Sequence, residues 1–231
     1  MTQYSVPTRS ASQARATASM IRLPVDPHQP EAGRIAQAAA VIRGGGIVAF
    51  PTDTLYGLAA DPRDPRAVAK LFSVKERPAE RAVPLIAADE AAAGQAGRFS
   101  LRTHLLARHF WPGPLTLLVK ANARLVPAVH GDRRLVGVRV PDSVVARALA
   151  RAAGGLITAT SANRSGAPPT ADLDDVQALA GSGLDLLLDA GLAPGGAPST
   201  IVDVTAEPPL LVRPGAVPWD RVLEFLDRNS R

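Results

Sequence analysis

Short apolar runs that stop at prolines or open into hydroxyl-rich loops alternate with amphipathic segments along most of this chain. That alternation restricts it to an α/β fold, a sheet with helices packed on it. Strands are expected at Ile47 to Phe50, Val83 to Ala87, Leu115 to Lys120, Leu135 to Val140, Leu156 to Thr160, Leu184 to Asp189 and Leu210 to Arg213. Helices are expected over Glu31 to Arg43, after Asp64, over Asp89 to Ala96, Leu101 to Phe110, Ser143 to Ala153, Asp172 to Ala180 and Trp219 to Leu226. The first gathers Ile35, Ala38, Ala39 and Ile42 on one face and ends at Gly44, a glycine C-cap. The second opens with Asp64 and Pro65, an N-cap followed by a proline whose missing N–H costs nothing there.

Between these two helices lies the stretch around which the rest is organised. Its strand stops at Pro51 and releases Thr52, Asp53 and Thr54 into a loop that runs through Tyr56, and its helix ends at Lys75, Glu76 and Arg77. Pro78 then forces an extended backbone, so Lys75 and Arg77 are expected to converge on one polyanion. A second polar loop, Ser161 to Gly166, leaves the strand that ends at Thr160. Two polar loops leaving strand ends would face one crevice.

A chain of 231 residues can bury one substantial core, and a single domain over residues 29–231 is expected. Residues 1–28 are rich in Ser, Ala, Thr and Arg, carry no acid before Asp26 and show no apolar periodicity, so they read as a disordered tail. The absence of cysteine excludes disulfides, thiolate metal sites and a cysteine nucleophile. The four histidines show no paired ligand spacing, which argues against a zinc site. The formal charge of +5 favours an anionic ligand or nucleic acid. No apolar run approaches the roughly 20 residues that a bilayer span requires.

The chemistry on offer suits holding rather than attacking. Thr52, Thr54, Thr160, Ser161 and Ser199 supply hydroxyls, Asn163 an amide, and Lys75, Arg77, Arg139 and Arg213 positive charge. Arginine offers paired donors in a plane and lysine a point charge, a combination matched to carboxylates and phosphates. No G-x-S-x-G elbow accompanies the serines, and neither Walker A nor G-x-G-x-x-G is present. Each residue alone has a plainer reading: Arg139 as half of a surface ion pair, Ser161 as a turn cap, Arg213 as a solvated strand end.

Their order changes this. The series FPTDTLYGLAAD, SVKERP, WPGPLTLLVK, VGVRVPD, TATSANRSG, PSTIVD and LVRPGAV closely resembles the YrdC family of threonylcarbamoyl-AMP synthases, over about residues 30–217. The resemblance implies a twisted, open, mixed sheet with a basic concave cavity. It also implies a cytoplasmic enzyme that condenses L-threonine, bicarbonate or CO2, and ATP with Mg2+ to threonylcarbamoyl-AMP and pyrophosphate. A downstream threonylcarbamoyl transferase complex then delivers the group to adenosine 37 of tRNA. By position, Thr54, Arg139, Ala159 and Ser199 match threonine contacts. Lys75 and Arg77 match the catalytic pair on the ATP phosphates, and Arg81, Leu135, Ser161, Asn163 and Arg213 match nucleotide contacts. Arg81 stands where some members have asparagine, and Ile86 where some have histidine. The ending soon after LVRPGAV resembles the short branch, without the extra C-terminal domain. Magnesium is expected on the triphosphate, since the sequence offers no dedicated carboxylate cluster. Two rivals remain: a non-catalytic RNA-binding module, for which aromatics are few, and a carbamoyl-transfer domain of a larger maturation enzyme, whose zinc segments require cysteines.

Overall fold

Residues 20–76, 82–162, 173–177 and 179–229 are described in the computed structural model of the chain. They open with strand β1 (Ile21–Pro24), helix α1 (Ala32–Arg43) and a hairpin of β2 (Val48–Pro51) and β3 (Tyr56–Ala59). Helix α2 (Pro65–Lys75), strand β4 (Leu85–Ala87), helix α3 (Glu90–Ala93), strand β5 (Gly97–Arg98) and helix α4 (Leu101–Phe110) follow. Next come β6 (Leu115–Ala121), α5 (Pro127–His130), β7 (Leu135–Arg139), α6 (Val144–Ala152), β8 (Leu156–Thr158) and β9 (Thr160–Ser161). The rest are α7 (Leu173–Gln177), β10 (Leu186–Asp189), β11 (Thr200–Asp203), β12 (Leu210–Arg213) and α8 (Trp219–Asn229).

Local chemistry accounts for the helix starts. Asp64 accepts from the Arg66 amide with Pro65 in the first turn, Asp89 from Ala92, and Ser143 from Ala146. Ser100 and Thr103 form a reciprocal capping box at the start of α4. Helix α1 buries the four residues its periodicity marks, Ile35, Ala38, Ala39 and Ile42.

The strands divide between two mixed sheets. One has the order β1-β10-β2-β3-β9, the other β12-β11-β6-β7-β4-β8 with β5 paired to β6. The run expected as one strand from Leu156 to Thr160 is therefore two. Strand β8 pairs with β4 in the second sheet and β9 pairs with β3 in the first, with Ala159 at the crossing. There the Ala159 amide donates to the Pro84 carbonyl. Beside it the buried Thr158 hydroxyl donates to the Leu58 carbonyl at 3.2 Å and accepts from the Ala60 amide at 2.8 Å. This hydroxyl and the Thr158 amide, which donates to Ala60, stitch the two sheets together.

Two further expectations are corrected. The tail assigned to residues 1–28 contains β1, which pairs in parallel with β10, Ile21 opposite Leu186 through Pro24 opposite Asp189. Only residues 1–19 of that assignment lie outside the described residues. A four-residue edge strand held by backbone bonds, with most side chains exposed, leaves no apolar periodicity to read. The second correction is β3, read as loop: its sequence YGLA is buried throughout but follows the polar TDT and contains a glycine. Gly57 is closely packed there, since a Cβ would lie 3.2 Å from the Phe50 ring.

Candidate active site

A cavity of about 440 Å³ opens where the two sheets meet, and the hydroxyls and arginines singled out from the sequence gather around it. Its wall includes Thr52, Thr54, Ala159, Thr160 and Ser161 from the hairpin side, and Thr116, Gly137, Arg139, Ser199 and Arg213 from the other sheet. Strand alternation explains the second group. Thr116 and Leu118 project from β6, and Gly137 and Arg139 from β7, to the cavity face. Gly137 keeps the floor open, because a Cβ there would meet Thr116 Cγ2 at 3.0 Å and Leu118 Cδ2 at 3.3 Å.

The loop after β2 is shaped by Thr52. Its Oγ1 accepts from the amides of Thr54 and Leu55, both at 3.1 Å, and donates to the Leu55 carbonyl at 2.7 Å. Thr54 Oγ1 sits 3.1 Å from the same oxygen. The turn thus presents Thr54 to the cavity while Thr52 is spent on the backbone.

Arg139, at the exit of β7, is buried and its Nη1 donates to Asp53 Oδ1 at 2.9 Å and Oδ2 at 3.1 Å. Burial pulls the guanidinium pKa down from its ordinary value, and the charge and hydrogen bond of Asp53 oppose that pull. Among the described residues no buried side-chain nitrogen lacks a partner, so Nε and Nη2, which bond no other residue, are open to the cavity. Arg213, at the end of β12, donates from Nη2 to the Ser199 carbonyl at 2.7 Å and to Ser199 Oγ at 3.1 Å, and from Nε to the same carbonyl at 3.2 Å. Its pKa is lowered by burial and then by the like charge of Arg139. Ser199 Oγ also meets Thr116 Oγ1 at 2.9 Å.

Lys75, buried in the last turn of α2, donates from Nζ to the Ser161 carbonyl and approaches Ser161 Oγ at 3.4 Å. It stands behind Ser161 and is not part of the wall itself. Thr54, Arg139, Ala159, Ser161, Ser199 and Arg213 are thus brought to one cavity. Leu135 is not: it begins the strand that Arg139 ends, four residues or about 13 Å away. Arg77, Arg81 and Asn163 lie outside the described residues. Ile86, one of the two departures from the family pattern, lines the cavity.

Two contributors were not legible in advance. Thr116 carried a signal, a hydroxyl alternating with Leu115 and Leu117 in an apolar strand, but it reads equally as β propensity. Asp53 was visible only as an acid among hydroxyls, and its partner lies 86 residues away.

A mixed α/β fold whose strand ends bring two arginines and several hydroxyls to one cavity defines a binding protein for a small ligand with anionic groups. More specifically, the chain belongs to the Sua5/YciO/YrdC family, whose model, described as "Telomere recombination", matches residues 40–215. It is 40% identical over 178 residues to the threonylcarbamoyl-AMP synthase of Chromohalobacter salexigens, covering 76% of this chain and 95% of that protein. It is 36% identical over 193 residues to the threonylcarbamoyl-AMP synthase of Pyrococcus abyssi, covering 83% of this chain but 57% of that protein. Among solved structures, P. abyssi Sua5 complexed with L-threonine superposes with a TM-score of 0.85 at 33% identity, covering 90% of this chain and 61% of that one. Escherichia coli YciO shares the fold, with a TM-score of 0.79 at 24% identity over 86% of this chain and 97% of that one.

Proposed function

We propose that this chain is a threonylcarbamoyl-AMP synthase, and that the cavity between its sheets holds L-threonine beside ATP. The observation that carries the reading is the convergence of Arg139, Thr54, Ser199 and Arg213 on one cavity, in a chain whose curated relatives bear that name. The open Nε and Nη2 of Arg139 suit the amino-acid carboxylate, and Thr54 and Ser199 its polar remainder. Arg213 and Lys75 suit the nucleotide, with Arg77, Arg81 and Asn163 assigned to it by sequence alone.

The reaction needs no protein nucleophile. The threonine amine adds to CO2 and loses a proton, giving a carbamate. A carbamate oxygen then attacks the α-phosphorus as the bond to pyrophosphate breaks, leaving the mixed anhydride threonylcarbamoyl-AMP. The chain contributes by holding the reactants together and by placing positive charge where the phosphates gain negative charge. Among the described residues no three acidic or histidine side chains cluster as a metal site. The proposal gives magnesium to the triphosphate, where it would neutralise phosphate charge. The proposal gives transfer of the product to tRNA to a separate transferase and places the enzyme in the cytoplasm. No helix among the described residues is long and apolar enough to cross a membrane.

The test is to incubate the protein with ATP, magnesium and bicarbonate, plus L-threonine, L-serine or no amino acid, and to follow pyrophosphate together with the acyl adenylate by mass. Pyrophosphate and threonylcarbamoyl-AMP that both require threonine and bicarbonate are expected. ATP binding with no adenylate from any amino acid would overturn the enzyme reading.

A further inference from the structure

Asp53 lies behind Arg139, outside the cavity wall. Both of its oxygens accept from the same nitrogen, Nη1, at 2.9 and 3.1 Å. Oδ2 is held in turn by the Asp142 amide at 3.3 Å, just beyond the exit of β7. The arginine side chain is 9% exposed and the aspartate 15%, so neither is free to turn into solvent. A guanidinium offers a carboxylate two paired edges, Nη1 with Nη2 and Nη2 with Nε. Asp53 occupies Nη1 and thereby closes the first edge. The Nη2–Nε edge stays intact and open to the cavity. The same aspartate sits between Thr52 and Thr54 in the turn that presents the Thr54 hydroxyl.

We propose that Asp53 is a positioning residue for the amino-acid substrate: by holding Nη1 of Arg139 it leaves one edge on which a carboxylate can dock, and it ties Thr54 to that edge. The inference rests on the assignment of Arg139 to the threonine carboxylate. Asp53 works through Arg139 and its own loop, so its effect falls on amino-acid binding. It makes no bond to Lys75 or Arg213, which the proposed function assigns to the nucleotide, and chemistry in the saturated complex proceeds without it.

The experiment uses the full chain with Asp53→Asn, which keeps size and removes charge, and Asp53→Glu, which keeps charge and moves it by one methylene. Initial rates are measured with threonine and ATP varied in turn, and L-threonine is titrated into each protein by calorimetry. In Asp53→Asn the KM and Kd for threonine rise about tenfold or more. At the same time kcat stays within about threefold and the KM for ATP is unchanged. Asp53→Glu shows a smaller rise in the same two quantities. Threonine affinity unchanged in both variants, with only the melting temperature lowered, would make Asp53 a structural counter-ion and overturn the proposal. A parallel rise in the KM for ATP would overturn it as well, by showing a general loosening of the site. Failure of the wild-type protein to bind threonine at all would instead strike the proposed function, so the two failures are distinct.

Discussion

The Ser199 hydroxyl joins two side chains of one cavity wall, accepting from Arg213 Nη2 at 3.1 Å and hydrogen-bonding with Thr116 Oγ1 at 2.9 Å. In Ser199→Ala the arginine keeps its two bonds to the Ser199 carbonyl, so the cation stays in place. What is lost is one hydrogen bond to a charged group and any made to substrate, about 1.5–3 kcal/mol. A fall in kcat/KM of about 10–100-fold is therefore expected, with little change in melting temperature. Thr116→Val, which leaves Ser199 in place but without its neighbour, should cost less in the same assay. A different residue reports on pH. The Tyr56 phenol is buried, donates to the Gly191 carbonyl at 2.7 Å and accepts from the Ala190 amide at 3.0 Å. Burial pushes its pKa up to about 12. A phenol that ionises later in the folded state than in the unfolded one favours folding below the unfolded pKa, near 10. That contribution fades as pH rises from about 10 to about 12. Urea titrations across that window should show stability falling more steeply for the wild-type protein than for Tyr56→Phe. At pH 7 the variant should be less stable by about 1–3 kcal/mol, because the Ala190 amide loses its acceptor.

At the scale of elements, the placement of Arg213 depends on a close approach of two backbone segments. A Cβ on Gly215 would lie 2.2 Å from the Pro198 carbonyl oxygen and 2.6 Å from both Ser199 C and Thr200 N. The contact is locked by the Ala216 amide on the Pro198 carbonyl and by the Thr200 hydroxyl, which donates to the Val217 carbonyl at 2.7 Å. Gly215→Ala must push these backbones apart, moving β12 and the arginine at its end. A loss of about 1–3 kcal/mol in unfolding free energy is expected. The KM values for ATP and threonine should both rise, since the contact carries Arg213 and Ser199, whereas Arg139 on β7 is not moved by it. The same elements show what a sequence can convey. Helix α1 was legible because four buried residues recur at helical spacing, and α2 because its aspartate and proline have one purpose there. The hairpin β2–β3 was half hidden because its second strand is short and follows a polar turn. The break at Ala159 was hidden because both halves of TATS favour strand, and only pairing with two different sheets separates them. For the site, ordered motifs pointed to the six residues that meet at the cavity. They could not show Asp53 gripping Arg139, since spacing along the chain says nothing of contacts 86 residues apart.

At the scale of the molecule, the cavity exists because two sheets that share no ladder are held at a fixed separation, and Thr158 is a principal fastening. Its side chain is fully buried, and its hydroxyl satisfies one group from each end of a short stretch of the opposing sheet, the Leu58 carbonyl and the Ala60 amide. Valine has nearly the same shape and no hydroxyl, so Thr158→Val leaves packing intact while the buried Ala60 amide loses this acceptor. The cost of stranding such a group is about 1–3 kcal/mol. Serine keeps the hydroxyl and loses only a methyl, so Thr158→Ser retains the stitch at the expense of about 1 kcal/mol of packing. If the seam sets the cavity, the two variants differ in function as well as stability. Thr158→Val binds threonine more weakly, because Ala159 and the Thr160–Ser161 strand shift away from Arg139 on the other wall, whereas Thr158→Ser binds it normally. Urea unfolding and calorimetric titration of threonine on the two proteins side by side would test this. Equal threonine affinity in a clearly destabilised Thr158→Val would show that the cavity is held by the hydrophobic contact between the sheets and not by the seam.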